Sequence, residues 1–251
     1  MIEFFKVILY EPLLNLLVFF YNIIPGHDLG LAIIFLTLLI KLIFIPLSRQ
    51  SIKAQKSLRD LQPELEEIKK KYADQKEKQA RVMMDLYRQR KVSPFSSCLP
   101  MLIQLPILIA VFQVFRVGLT ENNLPIYSFI SNPGTLNIMA FGILDLSQAS
   151  PPLALITGVL QYLQMKILSP VPPQTKNKVK PEGNENMMSM MNKQMRFMMP
   201  ALTVFIGLTL PSGLILYWLV SLLFTIIEQK VFLKPSAKIN SEIKKNSLSE
   251  K

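Results

Sequence analysis

LGLAIIFLTLLIKLIFIPL, residues 29–47, decides how the rest of the chain is read. It runs for 19 residues with one ionisable side chain, Lys41. As a helix it would be about 28 Å long, close to the thickness of a bilayer's hydrocarbon core. A charge inside such a span costs several kcal/mol unless it meets water or a partner. Lys41 therefore has two readings. In one it snorkels, its stem recovering part of the roughly 10 Å that separates it from Ser48 along the axis. In the other it is a functional group.

Composition supports a membrane setting for this run. Half of the 251 residues are hydrophobic, high for a soluble domain. The net charge is +11, and the basic residues are grouped: 13 of 28 lie at 49–91, five at 176–196 and six at 230–251, with none between 121 and 152. Nucleic-acid binding is one reading of basic patches. These patches flank apolar runs and contain acids, so the positive-inside rule accounts for them better. They would then be cytoplasmic, with residues 119–152 and the N-terminus outside. Arg116 is the local exception to that pattern.

The single cysteine, Cys98, allows no internal disulfide and gives no metal spacing. His27 lies in a turn-like PGHD with no second ligand nearby. The N-terminus has no basic n-region or small-residue cleavage site, so a cleavable signal is not expected.

The expected fold is an all-α integral membrane protein. Five transmembrane helices are placed at about 29–48, 97–118, 151–169, 193–210 and 213–232. The last two come from one apolar stretch that Pro211, Ser212 and Gly213 should divide by a turn. They are short for a bilayer of about 30 Å, which implies polar extension or local thinning. Residues 1–26 place Glu3, Lys6 and Tyr10 on one helical face and Glu11, Asn15 and Asn22 on another. That pattern reads as an interfacial amphipathic helix, with an additional span as the competing view.

Residues 50–92 read as a cytoplasmic helical hairpin. Leu58, Leu61, Leu65 and Ile68 would form one side of its apolar seam, and Met83, Met84 and Tyr87 the other. Asp74 with Glu77 resembles a helix-capping box. The bland alternative is a solvated charged face. The tail at 233–251 is lysine-rich and polar.

No hydrolase elbow, P-loop, dinucleotide loop or metal spacing is present in the sequence, so an intramembrane enzyme and a cofactor are not expected. What stands out is polar residues repeating inside spans. Thr37 and Lys41 share a face in the first. Thr157, Gln161 and Gln164 share one in the third, and Tyr217, Ser221, Thr225 and Glu228 do so in the fifth. Gln104 lies early in the second. Such residues often join helices by hydrogen bonds. Together, and with one lysine, they could instead line a shared hydrated cavity. Seven of 13 methionines lie at 187–199, either as an adaptable apolar surface or as a lead-in to the fourth span.

Several segments, in order, resemble the YidC/Oxa/Alb membrane protein insertases. They are the first span itself, LQPELEEIKKKY at 61–72, MMDLYRQRKVSP at 83–94, CLPMLIQLPI at 98–107, MMPALTVF at 198–205 and LPSGLILYWLVS at 210–221. The resemblance covers about residues 9–232 and is to a minimal form, without the large periplasmic domain of some members. It implies five spans around a hydrophilic groove open to the cytoplasm and lipid. Lys41 holds the position of the family's basic groove residue, more often an arginine, which stays charged and offers a fork of donors where lysine offers a point charge. Gln104, Tyr217 and Trp218 match groove-side or substrate-contacting positions. Thr37, Gln161, Gln164 and Ser221 complete the expected substrate groove. The implied partners are nascent membrane proteins, the ribosome at the basic tail and loops, a Sec translocon, and the bilayer. The implied location is the bacterial cytoplasmic membrane. A small channel or transporter, or a membrane assembly scaffold, would use the same polar stripes.

Overall fold

The computed structural model describes residues 2–93, 99–118, 125–168 and 187–232. Cys98, the basic stretch at 176–186 and the tail lie outside the described residues.

The chain starts as one continuous helical rod: α1 (Ile2–Phe5), a π-helical turn (Lys6–Tyr10) and α2 (Glu11–Ile23). The widened turn has a local cause. Pro12 has no N–H to give to the carbonyl four residues back, and Glu11 N–H bonds instead to Lys6 O, five back. The rod ends where Ile24 turns extended before Pro25, the conformation a following proline imposes.

By length and composition, Lys6–Ile23 suffices to cross a membrane, whereas the sequence reading laid residues 1–26 in the interface. Two asparagines that argued for an interface have partners in the loop at 125–131. Asn15 donates to Pro125 O and accepts from Tyr127 N at 2.7 Å; Asn22 donates to Ser131 O at 2.7 Å.

The run 29–47 is not one helix. α3 (Leu29–Ile43) stops at Phe44, α4 (Ile45–Asp60) follows, and the run Ile45–Lys71 that α4 begins is bent by 66° from α3. Pro46 in the first turn of α4 cannot bond to the Leu42 carbonyl, which breaks the ladder there. The expected straight span of 29–48 is thereby corrected, and Lys41 falls in the last turn of α3.

α7 (Leu99–Gly118), α8 (Pro151–Leu168), α9 (Met187–Gly207) and α10 (Ser212–Phe232) follow. α10 is long and apolar enough to cross a membrane, as is the bent α3–α4 pair if taken as one span; Gln104–Arg116 and Phe197–Gly207 are shorter apolar stretches. The turn between α9 and α10 lies at 208–211. Ser212 and Gly213 are already helical, because Ser212 N–H bonds to Gln148 O and Gly213 N–H to Leu146 O across the loop before α8.

α2, α3, α7 and α10 share one core, with Leu14, Leu17, Ile33, Leu36, Val111, Phe115 and Leu214 essentially inaccessible. At one end of it the segment at 125–150, with a two-stranded hairpin of β1 (Met139–Ala140) and β2 (Leu144–Asp145), caps the helices. Asp28 anchors that cap by accepting from Leu31 N at 2.9 Å and Phe141 N at 2.6 Å. Tyr21 Oη accepts from Asn137 N.

At the opposite end α4 leads into α5 (Gln62–Lys71) and α6 (Lys76–Gln89). These form the expected hairpin on a thin seam of Leu61, Leu65 and Tyr87, with Leu58, Met83, Leu86 and Val92 packed beside it. Burial of Tyr87 pushes its phenol pKa up. Two details differ from the sequence reading. Met84 is exposed, because the seam follows Met83, Leu86 and Tyr87. The capping box does not form: Gln75 is the N-cap and makes no side-chain cap. Arg90 closes the hairpin on Glu64 at 2.7 Å.

Candidate functional site

Lys41 sits where α3 ends, so its charge faces the carbonyl end of its own helix, which favours a cation. Its Nζ donates to Thr225 Oγ1 on α10 at 3.2 Å, and Thr225 in turn donates to Ser221 O. Three residues further along α10 lies Glu228, only 6% exposed. The Lys41 and Glu228 charges interact without a direct ion pair between them. Glu228 Oε2 accepts instead from Ser48 Oγ, on the first turn of α4, at 2.8 Å. Glu228 Oε1 is buried with no hydrogen bond among the described residues. Arg49 also feels Glu228, while its guanidinium lies 4.7 Å from the Phe232 ring centre.

The bend at Phe44 creates this cluster. It turns Ser48 toward α10, where a straight helix would have carried it onward along the axis. Beyond Ser48, Ser51 and Gln55 continue the same α4 face at spacings of three and four. Ser51 Oγ, Gln55 Oε1 and Gln229 Oε1 are buried without partners among the described residues, as is Gln161 Oε1 on α8. An unmet buried polar atom costs about 1–3 kcal/mol, so acceptors of this kind call for water or a ligand's donors.

The structure places the expected site residues unevenly. Gln104 and Tyr217 meet directly, Nε2 to Oη, at 2.9 Å. Tyr217 is 1% exposed, so its ring is part of the core, and its neighbour Trp218 is half-buried. Ser221 is buried one turn further along α10. Thr37 shares a face with Lys41, yet its hydroxyl is spent on Ile33 O of its own helix at 2.6 Å. Gln164 is buried and Gln161 half-buried on α8. No hydrogen bond joins either glutamine to Lys41 or Glu228 among the described residues.

Sequence reasoning put Thr225 and Glu228 in a polar stripe that could line a cavity without naming them among the groove residues, and it missed Ser48, Ser51, Gln55 and Gln229. The 48–51–55 spacing was a readable signal. It could not be aimed at α10 without knowing that the helix bends.

These features define a helical integral membrane protein that holds a lysine, an acid and several amides and hydroxyls between apolar helices. The chain belongs to the 60Kd inner membrane protein family, whose model matches residues 19–240. It is similar to proteins named membrane protein insertase YidC. The one from Pelobacter propionicus is 32% identical over 87% of this chain, and that from Nitratidesulfovibrio vulgaris 36% over 87%. The chain spans about 37% of the length of each of those two relatives. The relative from Fusobacterium nucleatum is 34% identical over 91% of this chain and 98% of its own length.

Proposed function

We propose that this chain is a membrane protein insertase that moves short hydrophilic segments of nascent membrane proteins across a bacterial cytoplasmic membrane. The observation that carries the reading is the polar cluster of half-buried Lys41, Thr225 and Ser48 with buried Glu228, together with buried polar atoms on α4, α8 and α10 that lack partners among the described residues. Polar groups between apolar helices are costly unless hydrated. A hydrated groove among α3, α7, α8, α9 and α10, taken as five spans, would keep a substrate's polar residues solvated partway across. The 15-residue α3, about 22 Å long, is short for a bilayer and would thin it locally, reducing the apolar distance left to cross. The substrate's hydrophobic segment then partitions into lipid, driven by burial of apolar surface.

In this reading the hairpin and the lysine-rich tail lie in the cytoplasm and receive the ribosome's nascent chain, with or without a Sec channel. The capping segment at 125–150 lies outside. No bond is made or broken in the step, so the protein is not an enzyme in the catalytic sense.

Reconstitution of the full chain in liposomes with a single-spanning substrate tests the proposal. Wild-type protein protects the translocated segment from added protease. Lys41→Glu lowers that protection about tenfold or more for substrates with acidic translocated segments, by placing like charge in the groove, while Lys41→Arg retains it. Full insertion by the Glu variant at equal incorporation refutes the role of Lys41. Full function of Lys41→Leu favours an assembly scaffold.

A further inference from the structure

Glu228 gives the groove an acceptor that Lys41 alone would not explain. The residue is 6% exposed, and its carboxylate extends from α10 to Ser48 on α4. One oxygen is held by Ser48 Oγ at 2.8 Å; the other is buried and accepts nothing among the described residues. Lys41, the cation whose charge acts on it most, directs its Nζ to Thr225. Arg49 feels the same acid but rests on the Phe232 ring. The cluster therefore holds a cation and, about one helical turn along α10, a carboxylate fixed in direction by Ser48 whose second oxygen is buried and has no donor among the described residues. A purely structural acid would have both oxygens satisfied, because a buried charge with an idle lone pair is costly.

We infer that Glu228 is a second substrate-binding group of the groove, accepting hydrogen bonds from basic or amide side chains of the translocated segment, so that with Lys41 it makes the groove bipolar. This rests on the insertase reading and adds a specificity to it. A groove with a lone lysine would favour acidic segments and repel basic ones. The bipolar groove accepts either sign, and its preference is set by the balance of the two residues.

The test uses the purified full chain in liposomes of neutral lipid without a membrane potential. The probes are three forms of one single-spanning substrate whose short translocated segment carries Asp, Asn or Lys at a single position. Wild-type protein inserts the Lys form within about twofold of the Asp form, since both charges find a partner. Glu228→Gln keeps a side chain of the same size for Ser48 and lowers the Lys form about five- to tenfold relative to the Asp form. Glu228→Asp preserves the wild-type ratio, and Lys41→Gln lowers the Asp form instead. A wild-type protein that rejects the Lys form tenfold or more overturns the inference without recourse to any variant. Equal scaling of all three substrates by Glu228→Gln, at equal incorporation, overturns it too. Failure of wild-type protein to insert any of the three refutes the insertase reading itself.

Discussion

The α3–α10 junction and the α8–α9 junction are built from similar apolar helices, yet they are joined by opposite means. α8 and α9 pack closely along small residues. A Cβ on Gly158 would collide with Val204 Cγ2, and one on Gly207 would lie 2.8 Å from Ala154 Cβ. Two threonine hydroxyls on this pair, those of Thr157 and Thr203, bond back to their own helices at Leu153 O and Met199 O. That junction contains no polar bond between the two helices among these residues. At α3–α10, by contrast, Lys41 reaches Thr225, and Ser48 reaches Glu228 just past the bend. In lipid, close packing of small residues is an effective way to hold helices, since tails compete with every apolar contact. The polar junction is a poorer way to gain stability, because each of its polar groups must first be desolvated.

The comparison can be broken at either side. The largest stability effect is expected at the close-packed junction: Gly158→Val overpacks against Val204 and costs about 3 kcal/mol, read as a lower midpoint in denaturant unfolding from detergent micelles. An unchanged midpoint would mean that α8 and α9 are not locked by close approach. Next is Tyr217→Phe, which removes the Gln104 bond and costs about 1 kcal/mol on the same assay. Lys41→Leu should leave the midpoint unchanged or raise it by about 1 kcal/mol, because an apolar residue removes a desolvated charge, while insertion falls. A lower midpoint would recast Lys41 as a structural residue. The smallest effect is expected for Thr203→Val, within about 0.5 kcal/mol, as its hydroxyl bonds only to its own backbone.

Much of the helix inventory was legible because its causes are local. The apolar runs of α7, α8 and α10, the hairpin seam at Leu61, Leu65 and Tyr87, and the helix break near Pro211 all follow from periodicity and proline chemistry. The first span was misjudged as continuous although Pro46 was in plain view. A proline so close to a span's end reads equally as a terminal feature, and only packing of α4 against α10 shows the bend. Residues 1–26 read as interfacial because Glu3, Lys6, Tyr10, Glu11, Asn15 and Asn22 interrupt the apolar run, and the sequence offers no partner for the two asparagines. Their partners lie more than 100 positions away at 125–131, a separation no local pattern reports.

The sequence by itself determined the class of protein, the family resemblance and the presence of a charge at Lys41 that needed an explanation. Composition and short-range spacing suffice for these, because bilayer thickness and helix geometry act on each segment alone. Only the tertiary structure decided what surrounds that charge. It moved Lys41 to the end of α3, turned Ser48 onto Glu228, buried Tyr217 behind Gln104 and returned the Thr37 hydroxyl to its own backbone. Those outcomes depend on where distant helices meet, and the direction of a hydrogen bond is fixed by that meeting rather than by position in the chain.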